Sequence, residues 1–351
     1  MGQRINEVGV WIKMERVRYM SNRYSILAAS HTLIITVACA MALSSQSASA
    51  DVTVFDDTFN NGSTINQAPV APSANSASYE YAASQTGGTT TNVMNPGDLN
   101  IEFNQTSSMF GEIMAQFSSS PLTLVNVGDT IDLTVTFVDT LGILRSGDAG
   151  SQLQIGLFSS GGVAPLQGQM LLNSATFATG GAKGWQGFYG KTLTAGTAQI
   201  GARLPQTAAN SSVQDLLFNN ASSGVAFNSP LANIIASKSA TAVTLSQGTT
   251  NTFEIRVTLT GASSMEITNT LYAGAGTGGT VLYSLDGTTN GVINSFDAMA
   301  FGWRFSGTKT NAIADIQEIT VTDNLVPEPS SIALVFAGVG LMFGVIRRRR
   351  S

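Results

Sequence analysis

Ile131-Asp132-Leu133-Thr134-Val135-Thr136-Phe137 decides the fold, because every second residue is large and apolar and the residues between are polar. Side chains alternate between the two faces of a strand, so this spacing turns Ile131, Leu133, Val135 and Phe137 to a core and the rest to water. Phe253-Glu254-Ile255-Arg256-Val257-Thr258-Leu259 repeats the pattern, and Leu99 to Phe103, Leu153 to Leu157 and Phe301 to Phe305 carry shorter copies. Strands with one dry and one wet face are those of antiparallel sheets packed on one side. Several of them in one chain predict an all-β antiparallel sandwich.

Turn signals fall between these runs: Asn61-Gly62, Asn95-Pro96-Gly97, Val127-Gly128-Asp129, Gly161-Gly162, Gly180-Gly181, Gly278-Gly279 and Asp286-Gly287. Helical spacing is confined to Ser211 to Phe218 and Leu231 to Ser237. No proline-rich, charged or low-complexity linker divides the body, so residues 51–325 read as one domain. Trp303, between Phe301 and Phe305, belongs to the core face of its strand.

Charge and composition exclude much chemistry. The stretch 51–346 retains 8 of the 17 basic and 20 of the 22 acidic residues, a net charge near −12. Such a surface repels a phosphate backbone, which argues against a nucleic-acid partner. The single cysteine, Cys39, and the single histidine, His31, both precede the body. A mature body without them has no disulfide, no Cys/His zinc site and no Ser-His or Cys-His nucleophile.

The two ends are set apart from the body. Residues 1–50 read as a signal peptide: Lys13, Arg16, Arg18 and Arg23 precede an apolar run from Ile26 to Leu43, which leads into small residues. Ala48 and Ala50 suit signal peptidase, with cleavage expected before Asp51; Met14 and Met20 are alternative starts. At the other end Val326-Pro327-Glu328-Pro329 precedes apolar residues from Ile332 to Ile346, then Arg347, Arg348, Arg349 and Arg350. The prolines fix an extended segment. Residues 330–346 read as a single transmembrane helix of about 25 Å, held with its arginines in the cytoplasm and the body outside.

This tail, residues 326–351, resembles the PEP-CTERM sorting signal recognised by exosortases in Gram-negative bacteria. The resemblance implies export, retention at the inner membrane, processing near Pro327-Glu328-Pro329 by an exosortase, and a place at the cell surface or in an exopolysaccharide matrix. The body resembles the concanavalin A-like lectin/glucanase superfamily, a jelly-roll-like sandwich. The resemblance rests on the opening strand Val52 to Phe59, with Phe55-Asp56-Asp57, and on a closing pair, Phe301 to Arg304 and Asp315 to Val321. It implies that the first and last strands pair.

Candidate sites follow from what chemistry remains. Gly184-Trp185-Gln186-Gly187-Phe188-Tyr189-Gly190-Lys191 sets aromatic rings between glycines, so Trp185 and Tyr189 are candidates for stacking on a sugar and Gln186 for bonding its hydroxyls. The competing reading makes Trp185 or Phe188 a plug at the sandwich edge. Asp286, Thr288, Asn290 and Asp297 put oxygen ligands at positions 1, 3, 5 and 12 of a calcium-type loop, against which stands a plain hairpin turn on Asp286-Gly287. Asp56-Asp57 with Asn60 and Asn61 is a second oxygen-rich segment. The run Glu-x-Asp-x-x-Glu that glucanases carry on one strand is missing, so no catalytic residue, no enzyme and no cofactor is expected. The sequence therefore predicts a non-catalytic surface protein that binds extracellular polysaccharide; the alternatives are a purely structural surface protein with no glycan ligand and, ranked below it, a glycan hydrolase with an unrecognised carboxylate pair.

Overall fold

A computed structural model describes residues 51–59, 80–83, 88–95, 97–105, 109–140, 151–163, 170–171, 184–193, 197–204, 217, 232–239, 243–291, 293–305 and 309–326. The signal segment 1–50 with Ala48 and Ala50, and the tail beyond Val326 with Pro327, Glu328, Pro329 and the four arginines, lie outside them. So do most of Ser211 to Phe218 and the Asn61-Gly62 and Gly180-Gly181 turns. Ala50–Val326 forms one compact unit. Among the described residues no helix is long and apolar enough to cross a membrane.

The described residues form eighteen strands. In chain order they are β1 (Val52–Asp57), β2 (Glu80–Ala83), β3 (Gly88–Asn95), β4 (Asp98–Gln105), β5 (Met109–Gln116), β6 (Leu122–Thr123), β7 (Thr130–Asp139), β8 (Gln152–Ser159) and β9 (Met170–Leu171). The second half comprises β10 (Gln186–Leu193), β11 (Thr197–Arg203), β12 (Ala232–Ser239), β13 (Thr250–Gly261), β14 (Ser264–Ala273), β15 (Thr280–Thr289), β16 (Ser295–Phe296), β17 (Ala298–Phe305) and β18 (Lys309–Asn324).

Two eight-stranded sheets face each other. Sheet I runs β15-β14-β13-β7-β18-β4-β3, with β1 also paired to β18. Sheet II runs β12-β11-β10-β8-β17-β5-β2-β9, and β6 with β16 makes a small third sheet. The alternation read from sequence explains the layers. Ile131, Leu133, Val135 and Phe137 of β7 and Phe253, Ile255 and Val257 of β13 are fully buried in one core, together with Leu153, Ile155 and Leu157 of β8 and Trp303 of β17. Phe137 of sheet I meets Phe301 of sheet II with ring centroids 5.8 Å apart, and Phe301 meets Trp303 at 5.9 Å. Burial on this scale, at ~25 cal/mol per Å² of apolar surface, is what holds the sheets face to face.

The first and last strands pair as expected: Val52 opposes Asp323 and Asp57 opposes Ile319. β17 and β18, however, fall into opposite sheets and do not pair with each other. Of the stretch 231–237, expected as helix, the described residues belong to β12, which pairs along β11 from Thr197–Ser239 to Arg203–Ala232. A short i, i+3 spacing of apolar residues fits an edge strand as well as a helix, and the ladder of hydrogen bonds decides for the strand.

Candidate functional site: a polar row across sheet II

The outer face of sheet II carries a row of polar side chains from four strands, with a glycine of a fifth between two of them. Gly302 of β17 opposes both Glu112 of β5 and Gln154 of β8. Gln154 opposes Lys191 of β10, and Lys191 opposes Gln199 of β11. Directly opposed residues of antiparallel strands point to the same face. Their sequence neighbours Ile113, Ile155 and Ile200 belong to the core, so the row faces away from it.

These polar groups are nevertheless dry: Glu112 and Gln154 are fully buried and Lys191 is 7% exposed. Glu112 Oε2 accepts the Leu217 backbone N–H at 3.0 Å. Gln154 Nε2 donates to Gln152 Oε1 at 3.0 Å. Gln154 Oε1 and Gln199 Oε1 meet no hydrogen-bond donor among the described residues. An acceptor buried without a donor loses its hydration uncompensated, at ~1–3 kcal/mol; the partly exposed Gln199 suits an incoming hydroxyl, while the fully buried Gln154 is closed to one. Burial, and then the Arg304 guanidinium, lower the Lys191 ammonium to about 8.

The loop expected to stack on sugar is not one. Gln186 opens β10, and Trp185 just before it is fully buried. Its Nε1 donates to the Val163 carbonyl at 2.8 Å, and its own carbonyl accepts from Arg203 Nη1 at 3.1 Å. Tyr189 is 3% exposed, and burial pushes its phenol up. Gln186 is partly exposed, opposite Ser159. Neither aromatic offers a face to solvent, and the plug reading of Trp185 is the one that its burial fits.

The calcium-type loop does not form either. Asp286 and Thr288 lie within β15, opposite Thr268 and Glu266, and Asn290 follows in an exposed turn. The hairpin reading of Asp286-Gly287 fails with it, since the pair sits mid-strand where a Cβ on Gly287 would come within 2.6 Å of Ala236 Cβ. Asp297 is buried elsewhere, its Oδ1 accepting the Ser160 N–H and its Oδ2 the Ser160 hydroxyl, both at 2.6 Å. Asp57 is likewise buried and caps the Phe59 N–H at 2.8 Å. Among the described residues no three acidic, histidine or cysteine side chains are grouped to hold a metal ion.

Two other polar features lie away from this row. On the outer face of sheet I, Arg256 binds Asp132 through two bonds of 2.6 and 3.1 Å and Glu254 at 3.2 Å, and Tyr272 donates to Glu254 at 2.7 Å. A cleft of about 530 Å³ beside β13 is lined by residues such as Ser246, Thr249, Asn251 and Leu282, none of them titratable.

Comparison with known proteins adds one decisive observation. Residues 325–350 match the PEP-CTERM protein-sorting motif. This sorting motif implies export, association with the membrane or cell surface, and processing by an exosortase. No curated protein matches the chain in sequence. Among solved structures the chain is similar to an endo-1,3-beta-glucanase from Streptomyces sioyaensis, at 14% identity and TM-score 0.39, covering 79% of this chain and 97% of that one. It is also similar to the VIP36 exoplasmic/lumenal domain in its Ca2+/Man2-bound form, at 10%, TM-score 0.38 and coverage of 74% and 87%. Peanut lectin with a 9mer peptide follows at 12%, TM-score 0.32 and coverage of 78% and 97%. The neighbours are thus lectins and glucanases of the concanavalin A-like kind, while the fold described above stands on its own strand pairings.

Proposed function

We propose that this chain is an exported surface protein, tethered by its C-terminal apolar segment 330–346, whose β-sandwich binds extracellular polysaccharide without cleaving it. The observation that carries the reading is the partly exposed end of the polar row on sheet II, where Gln199 Oε1, beside Lys191, meets no donor among the described residues. Polysaccharide hydroxyls are donors of the kind this amide oxygen lacks. The non-catalytic part is supported by how buried carboxylates are used. Glu112, Asp297, Asp57 and Asp129 each accept a backbone N–H, a structural task.

The burial of Trp185 and Tyr189 favours a second reading, a matrix protein with no defined glycan. Titration of the purified 51–326 fragment against immobilised neutral and uronic-acid polysaccharides separates the two. Gln199→Leu, of similar volume, should weaken binding by ~5- to 10-fold, the loss of one hydrogen bond. Absence of binding to every polysaccharide leaves the structural reading, and release of reducing ends would establish a hydrolase instead.

A further inference from the structure

The point where the chain leaves the body is clamped. Asp129, 1% exposed, accepts the Val326 N–H on Oδ1 at 2.7 Å, and Asn126 Nδ2 donates to the Val326 carbonyl at 3.0 Å. The loop that does this is itself fixed. Asp129 Oδ2 accepts the N–H groups of Val125 and Asn126 at 2.7 Å, and Gly128 N–H bonds the Leu259 carbonyl of β13 at 2.8 Å. Gly128 has φ +100°, and a Cβ there would come within 3.2 Å of Val326 Cγ2, so glycine is required under the valine. The start of the body arrives at the same place: Val52 opposes Asp323, and Asn324 Nδ2 donates to Asp51 Oδ1 at 2.8 Å.

Around this exit the surface is apolar. Among the described residues nine large apolar side chains are exposed, and Val52, Val125, Val127 and Leu325, at 40 to 65% exposure, adjoin the clamp in chain or ladder. Val163 and Leu204 lie at the same end of the sandwich. Val163 follows Ser160, which Asp297 ties to Phe117, and Leu204 follows Arg203 at the end of β11. That places six of the nine at one end. Val281 and Leu282 are at the far end of β15.

We propose that this end of the sandwich is a membrane-facing rim whose exposed valines and leucines rest in the headgroup region of the bilayer. The inference rests on the membrane-tether reading of the tail. Its occupant follows from chain length. Val326 is fixed to the body, the apolar segment starts at Ser330, and Pro327 to Pro329 span at most about 10 Å even when fully extended. Shallow insertion of apolar side chains at an interface needs no more reach than that. The exposed Asp51 beside the clamp makes a zwitterionic surface the partner, since anionic lipid would repel it.

The test uses the full chain with Cys39→Ser, reconstituted through its tail into phosphatidylcholine vesicles. Val127→Cys and Leu282→Cys carry an environment-sensitive fluorophore in turn, read against lipid spin-labelled near the headgroup, with alkaline extraction as a second readout. About twofold quenching is expected at Val127, where the label lies at the interface, and none at Leu282. Resistance to extraction with no quenching at Val127 overturns the rim while leaving the tether. Release on extraction overturns both, and equal quenching at the two positions overturns the stated orientation. Shielding at Val127 that persists in lipid-free detergent would assign the rim to protein contact and overturn its assignment to lipid.

Discussion

Asp297 holds Ser160 by both carboxylate oxygens, at 2.6 Å to its N–H and 2.6 Å to its hydroxyl. The Asp297 backbone completes the knot, its carbonyl accepting the N–H groups of Phe117 and Ser118 and its N–H donating to Phe158. One residue thus joins the ends of β5, β8 and β17. Asp297→Ala should destabilise the 51–326 fragment by ~3–4 kcal/mol in urea unfolding, because it strands two buried donors of Ser160. Asp297→Asn keeps one acceptor and should cost roughly half as much. An unfolding midpoint unchanged in the alanine variant would mean that the knot contributes nothing to stability.

Trp185 and Trp303 are both fully buried, on opposite faces of sheet II. Each Trp→Ala should cost ~3–5 kcal/mol of stability. Trp185→Phe is the finer measurement: it keeps an aromatic ring but removes the bond to Val163 and leaves a small void, so a loss of ~1–3 kcal/mol is expected, smaller than for alanine. A Trp185→Ala protein as stable as the parent would contradict the burial.

Lys191 should impose a pH dependence. Its folded pKa of about 8 lies below the ordinary 10.5, so between these values the unfolded chain binds the extra proton. The penalty is fully present below pH 8 and is relieved as pH rises toward 10.5. Relative to Lys191→Met, the parent should gain on the order of 2 kcal/mol between pH 8 and pH 10. Parallel stability curves for the two proteins would remove Lys191 as the cause.

The fold was legible because alternation at Ile131 to Phe137 and Phe253 to Leu259 is set by the strand's own geometry, which neighbours do not alter. The site was not, for two physical reasons. Glycines beside Trp185 looked like the marks of a loop, yet Gly190 lies in β10, where a Cβ would collide with the Asn269 side chain of the facing sheet. Close approach and loop freedom select the same residue type. The polar row, in turn, exists only through register. Glu112, Gln154, Lys191 and Gln199 are scattered in sequence and become neighbours when β5, β17, β8, β10 and β11 align. The helix expected at 231–237 failed for a related reason: a short apolar spacing does not distinguish a helix from a strand until pairing with β11 is known.

The last two strands of the chain are not edge strands. β17 lies between β8 and β5, and β18 lies between β7 on one side and β4 and β1 on the other. In an exported chain that emerges N-terminus first, neither sheet can close until residues beyond 298 have crossed the membrane. Until then the strands that will flank the gap hold unpaired backbone groups and uncovered apolar faces, the state most prone to aggregation. Half-sheets such as β7-β13-β14-β15 and β8-β10-β11-β12 can pair earlier, but joining them to β4 and β5 waits for residues 298–324, the last described stretch before the sorting segment.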